Sequence, residues 1–326
     1  MRERQLLVGS LIVLGAASGF GLLGPLARFA YDRGLEPLSF VAWRAAFGTL
    51  IVGAYALWWI RRGRPAVHPW HLSHRDRAAL AVAVLAGLVL NVAMFFAFER
   101  TTVALVLLGF YTYPALVAVV ATVRGHESLD GVRLAALGLS LGGMVLVVAG
   151  GLSSAADSAG LRFDAIGIGL ALLAALSQTV FVTVSRTGYR AMPNEQATSW
   201  ILGLTAIICA LLAVGAGGSL SLGAPLRTGD ALGLAAIAGI LAAGIPSLLF
   251  LTGIRTIGGT RTGILMLFEP VVGVFLAAAL LDEQILPIQA VGGLAILLAA
   301  VLVQRSGAPL TPTPRPGPTL ATGVER

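Results

Sequence analysis

The chain has 326 residues, 57% hydrophobic and 11% charged, with a mean hydropathy of +0.90. A soluble domain carries roughly 45–50% apolar and about 25% charged residues, so this composition belongs to a polytopic membrane protein. The formal charge of +7 does not point to nucleic acid, because the arginines lie between apolar runs, and the single cysteine, Cys209, excludes disulfides, zinc clusters and paired-cysteine redox chemistry.

A helix rising about 1.5 Å per residue needs about 20 apolar residues to cross roughly 30 Å of hydrocarbon. Ten runs meet this. The first, 6–29, holds Ser18 and the spaced pair Gly15 and Gly19. Its start, MRERQLLVGSLIVLGAASG, mimics a signal peptide, but the repeat described below needs it as a helix. The second run, 38–60, carries Trp43 and Arg44, and the loop after it spaces His68, His71 and His74 by three. Asn91 is central in the third, 79–99. The fourth, 102–123, holds Tyr111, Tyr113 and Pro114, with Glu127 beyond its end. Gly138 and Gly142 lie in the fifth, 132–151, and Ser177 and Gln178 in the sixth, 165–186. Trp200 and Cys209 lie in the seventh, 197–216, and Pro246 and Ser247 in the eighth, 230–252. The ninth, 261–281, carries Glu269 and Pro270, with Glu283 beyond it, and the tenth is 286–304. The runs are continuous instead of alternating, which gives helices and not a barrel.

The 22 basic residues are all arginine. With both termini cytoplasmic, sixteen arginines fall in cytoplasmic segments and five outside (Arg28, Arg33, Arg100, Arg162 and Arg227), leaving Arg44 within a helix. The expected location is a plasma (inner) membrane, multi-pass. The Pro/Thr-rich tail, 305–326, is expected to be disordered.

Two stretches echo each other. Pro114 precedes Glu127 by 13 residues and Pro270 precedes Glu283 by 13; FFAFERTTVA at 95–104 resembles LFLTGIRTIGG at 249–259, with Arg100 matching Arg255. SFVAW at 39–43 returns 157 residues later as QATSW, and Ser18 lies 159 residues before Ser177. The expected domains are a first repeat, 1–151, a linker, 152–164, and a second repeat, 165–304. Five helices per repeat is odd, so the second repeat enters the membrane inverted. The fold class is an all-α integral membrane protein of ten transmembrane helices in two inverted five-helix repeats, a plan of secondary transporters with a substrate site near the midplane. Pro114 and Pro270 each remove a helix hydrogen bond, to the carbonyls of Phe110 and Met266, and read as mid-helix kinks.

RTTVALVLLGFYTYPALVAVVATVRGHES, GGTRTGILMLFEPVVGVFLAAALLDEQ and WRAAFGTLIV together resemble the EamA-type family of the drug/metabolite transporter superfamily, over residues 6 to 304. Arg261 stands where that family usually has a small residue, and Asp282 where glycine is common. The resemblance implies export of small metabolites, amino acids or toxic compounds, and a cavity lined mainly by helices 1, 3, 4, 6, 8 and 9.

Glu269 is the proton-coupling candidate. A carboxylate at mid-bilayer costs about 2.5–3.5 kcal/mol on insertion scales, so it binds a proton or a cationic substrate group, or else satisfies carbonyls loosened by Pro270. Arg44, the other buried charge, could attract a substrate carboxylate, pair with Glu269 or snorkel to the headgroups; a structural role is the reading taken. Ser18, Asn91, Tyr111, Tyr113, Ser177, Gln178, Ser247 and Glu269 form the candidate substrate cavity. Trp43 and Trp200 read as an aromatic belt, the spaced glycines as close helix packing, and the histidine loop as bound to anionic lipid instead of metal.

The function expected is a secondary active exporter of small metabolites such as amino acids or toxic amphipathic compounds, working by alternating access. Its partners are a small-molecule substrate, protons and membrane lipid, with no nucleic acid, cofactor or metal and no catalytic residue. The alternatives are a proton-independent facilitator or exchanger in the same fold and, after it, a non-transporting scaffold or membrane enzyme.

Overall fold

A computed structural model describes residues 2–101, 103–125, 130–159, 164–215, 229–281 and 285–305, together with 222, 223 and 226. Glu127, Glu283, Asp282, Arg162, Arg227 and the tail from 306 onward lie outside the described residues.

The helices follow the apolar runs. In chain order they are α1 (Arg2–Gly21), α2 (Leu23–Tyr31), α3 (Pro37–Arg61), α4 (His74–Arg100), α5 (Val103–Phe110), α6 (Tyr113–Val123), α7 (Gly131–Ala159), α8 (Ala165–Thr187) and α9 (Asn194–Gly215). Then come α10 (Gly229–Gly239), a π-turn at Ile240–Gly244, α11 (Ile245–Ile257), α12 (Gly259–Met266), α13 (Glu269–Leu281) and α14 (Pro287–Arg305). Nine helices or helix pairs among the described residues are long and apolar enough to cross a membrane, and Pro287–Val303 is a shorter apolar helix. The ten-span arrangement is thus present, with spans one, four, eight and nine each divided. α7 continues to Ala159, into the stretch read from sequence as linker.

Local chemistry sets the ends. Ser73 caps α4 by accepting the Asp76 N–H at 3.1 Å, and Asp164 caps α8 by accepting the Gly167 N–H at 2.8 Å. Pro37 opens α3, where a missing N–H costs nothing. Gly258, at φ 88°, separates α11 from α12 in a conformation that a side chain resists.

The packing obeys the inverted repeat. α4 lies along α8, and α1 along α11, which are the same contact under exchange of each span with the one five later. α3 with α9 and α7 with α14 map onto themselves, whereas α6 with α12 maps onto α5 with α13, which make no comparable packing among the described residues. Small residues allow the closest crossings. A Cβ on Gly292 would stand 2.4 Å from the Gly143 carbonyl oxygen, and one on Gly143 would stand 2.6 Å from the Gly292 oxygen. The expectation for Gly138 and Gly142 needs correcting, because an added Cβ at either meets nothing within 4 Å. They sit on a face of α7 turned away from α14, and Gly143, one residue on, makes the crossing. Gly19 does pack closely, 2.4 Å from the Pro246 ring by the same measure, whereas Gly15 has only an ordinary contact at 3.5 Å.

Candidate functional site

Spans four and nine do not merely kink. Each breaks for two residues, Tyr111–Thr112 and Leu267–Phe268, at positions 156 apart in sequence. Pro114 and Pro270 are each the second residue of the helix that resumes, where their missing N–H groups are harmless. The backbone bridges both breaks with tight turns: Ala115 N–H to Thr112 O at 3.1 Å, and Val271 N–H to Phe268 O at 3.1 Å. The Thr112 hydroxyl donates to the Gly109 carbonyl at 2.7 Å, so one loosened carbonyl regains a partner. The prolines end one half-helix and begin the next, a larger effect than the bend read from sequence.

The two breaks face each other. Glu269 opens α13, where the positive end of the helix dipole favours its carboxylate. The Tyr111 hydroxyl, from the other break, donates a hydrogen bond to it, and Tyr113 lies within electrostatic reach. Both tyrosines are buried, while Glu269 keeps partial exposure. Phe110 packs on both tyrosines, at ring-centroid distances of 5.4 and 5.3 Å. The first span also meets this point: a Cβ on Gly21 would lie 3.0 Å from the Glu269 carbonyl oxygen.

The other expected cavity residues divide. Ser18 turns its hydroxyl back to the Leu14 carbonyl of its own helix at 2.9 Å. Ser177 and Gln178 are buried on α8, and Ser247 is half-buried in the first turn of α11, just beyond the π-turn. Asn91 is not joined to Glu269. Its Nδ2 donates to the Gly87 carbonyl at 2.8 Å and its Oδ1 accepts from Arg44 Nη2 at 3.0 Å. Arg44 therefore neither pairs with Glu269 nor extends to the headgroups; it is 8% exposed.

Several features had no signal in the sequence. Phe20, Phe181 and Phe250 come from α1, α8 and α11; Phe20 meets Phe250 edge to face at 6.3 Å, and Phe181 stacks on Phe250 at 6.2 Å. Three aromatics among 13 phenylalanines cannot be picked out without the packing. The π-turn at Ile240–Gly244 lies where α3 crosses, and a Cβ on Gly244 would stand 2.9 Å from the Gly48 carbonyl oxygen.

Arg255, matched in sequence to Arg100, holds the loop between α8 and α9. It donates to the carbonyls of Ser185 (3.3 Å), Met192 (3.0 Å) and Tyr189 (3.2 Å) and to Asn194 Oδ1 (2.6 Å). Its guanidinium also lies 4.8 Å from the Tyr189 ring centroid. Tyr189 has φ 42°, unusual for a residue with a side chain. It is held there by Arg255, by its N–H to Asp76 Oδ1 at 2.8 Å and by its hydroxyl to Ser185. Burial pushes this phenol above its ordinary range. Arg100 has no matching cage among the described residues; it is half exposed, 4.0 Å from Asp164.

The three loop histidines do not gather at one point, although the His68 and His71 rings meet edge to face at 5.8 Å. His68 stacks on Trp70, and the His74 ring pairs with Arg77 Nη2 at 2.7 Å. Among the described residues no group of His, Cys, Asp and Glu is placed to hold a metal. Trp70 meets Trp200 edge to face, and Trp43 donates its indole N–H to the Leu222 carbonyl at 2.9 Å, a specific anchor beyond the belt expected of it.

The comparisons with known proteins bear on the two repeats and on the fold. A model of the EamA-like transporter family matches residues 7–149 and 165–305, one match per repeat. The chain belongs to the EamA-like transporter family. No curated protein matches it. Among solved structures, one described only as the crystal structure of a protein aligns over 90% of this chain and 96% of its own, with a TM-score of 0.74 and 18% identity. At that identity the likeness concerns the fold alone. As a drug/metabolite-type transporter the EamA-like chain is a multi-pass membrane protein whose business is moving a small molecule, and the breaks of spans four and nine are one of the places where its two repeats meet.

Proposed function

We propose that this EamA-like chain is a secondary exporter of small metabolites such as amino acids or toxic amphipathic compounds, which works by alternating access with Glu269 as its proton site. The observation that carries the proposal is the Tyr111–Glu269 hydrogen bond, made between the broken centres of two inverted helices. A carboxylate held at such a point gains or loses a proton at a cost set by which side is open. Its tyrosine partner comes from the opposite repeat, so the bond changes when the repeats move against each other.

The packing supports a conformation closed on one face. The halves α6 and α12 pack together at the arginine-rich face, with Gly263 over Pro114 and Gly259 between Val117 and Val182. Among the described residues α5 and α13, the opposite halves, make no comparable packing. With the arginine-rich face cytoplasmic in the plasma (inner) membrane, the cytoplasmic gate is the closed one.

The test uses purified protein in liposomes under an imposed pH gradient, with a panel of labelled amino acids, for the parent and for Glu269→Gln. Gradient-driven flux in the parent, lost in the variant while exchange persists, is the expected result. Equal flux in both would favour the second reading, a proton-independent facilitator or exchanger. The position of Glu269 at the α13 N-terminus suits that reading, since the helix dipole there stabilises a carboxylate that never takes up a proton. No flux of any amino acid in the parent removes the amino-acid cargo.

A further inference from the structure

α3 carries a guanidinium about 10 Å along its axis from its first residue, seven residues beyond Pro37. Arg44 is buried, and no acidic group among the described residues pairs with it. Nη2 donates to Asn91 Oδ1 at 3.0 Å, and Nε is buried with no partner. The titratable groups whose charge it feels are the Tyr31 hydroxyl and the Cys209 thiol, both neutral near pH 7. Asn91 is itself fixed, because its Nδ2 is tied to the Gly87 carbonyl and its Oδ1 must face the guanidinium.

The place is not an ordinary packed crossing. The Arg44–Asn91 arm spans α3 and α4, which otherwise pack little against each other. Arg44 also adjoins the π-turn of the eighth span: a Cβ on Gly239 would stand 2.7 Å from its carbonyl oxygen. π-turns inside α-helices are frequent at functional positions. A cation left among neutral groups inside a membrane protein costs several kcal/mol, and packing alone would be served better by a neutral side chain. A guanidinium is a planar fork that matches a carboxylate, and the Nε of this one is without a partner.

We infer that Arg44 recognises a carboxylate on the transported molecule, with Asn91 as its positioning residue. The inference rests on the transporter reading above and narrows the cargo to carboxylate-bearing molecules. Amines, amides and esters of the same shape lack the partner that offsets the buried charge.

The test pairs binding with flux. Purified protein is melted in detergent with L-leucine, isovalerate, isovaleramide or isopentylamine at millimolar concentration, and the same four probes are offered to proteoliposomes. Leucine and isovalerate are expected to raise Tm, with the amide and the amine at least about 30-fold weaker. Arg44→Gln is expected to abolish the preference, and Asn91→Leu to weaken it while leaving the charge. Equal stabilisation by isovalerate and isovaleramide overturns the inference, as does a preference that survives in Arg44→Gln or the absence of any carboxylate effect. The parent comparison needs no variant, so a misfolded Arg44→Gln does not blur the result. Carboxylate-selective binding without flux would sink the transporter reading and leave the site standing. Flux that carries acid and amide alike would sink the site and leave the transporter reading.

Discussion

Gly263→Val tests whether the α6–α12 crossing is a gate. A Cβ at residue 263 would lie 3.2 Å from Pro114 Cβ and 3.3 Å from Pro114 Cα. Ordinary carbon contacts lie at about 3.5–4.0 Å, so alanine is already tight and two further methyl groups have no room. Overpacking of this kind costs about 1–3 kcal/mol. If the crossing opens as the repeats move, that cost becomes a shift of roughly 5- to 150-fold away from the closed state. Ala121 reports on the shift: it is buried, in a cleft lined by Val117, Val182, Thr183, Arg186 and Gly259. With the buried Cys209 replaced by alanine, Ala121→Cys becomes the only thiol. A charged, membrane-impermeant maleimide should label it slowly in the parent and faster by that factor in Gly263→Val. Equal rates in the two proteins would refute the gate, as would labelling in the parent as fast as at the exposed Ala191→Cys.

Gly292→Ala should lower stability by about 1–3 kcal/mol in a detergent melt, because its methyl lands on the Gly143 carbonyl and α7 must leave α14; an unchanged Tm would argue against the crossing. Arg255→Gln should cost about 1.5–3 kcal/mol and speed amide exchange across residues 188–192, where the carbonyls of Gly188, Tyr189 and Met192 lose their donor; unaltered exchange there would show that the loop holds itself. Tyr189 gives a pH dependence. Its phenol is raised by burial, so the unfolded chain gives up that proton first. Stability is intact below about pH 10 and falls as pH rises toward the folded value. Tyr189→Phe should flatten that alkaline decline, and an identical slope in parent and variant would assign the decline elsewhere.

The repeat was legible because a duplicated chain carries duplicated punctuation. Pro114 and Pro270 mark the same turn twice, and the structure breaks both helices at the same offset. Glu269 and Tyr111 could each be singled out as polar residues within apolar runs, yet that they meet is a fact of two chains of backbone crossing. Asn91 and Arg44 show the same gap from the other side. Both stand out by polarity, but the sequence offered Arg44 to a substrate carboxylate, to Glu269 or to the headgroups, and the crossing sets it against Asn91. Gly138 and Gly142 have the right spacing for a packed face, and Gly143 takes that role, because helical phase shifts by about 100° per residue and spacing alone leaves the facing direction open.

The ten spans, their inversion and the family follow from the sequence by itself. Hydrocarbon thickness sets helix length, an odd helix count reverses the second repeat, and proline removes an N–H wherever it stands. Only the tertiary structure decided which polar groups become partners, which half-helices close together, and where the eighth span loosens into a π-turn beside α3. Those outcomes depend on the distance between residues far apart in the chain, and local pattern does not contain that distance.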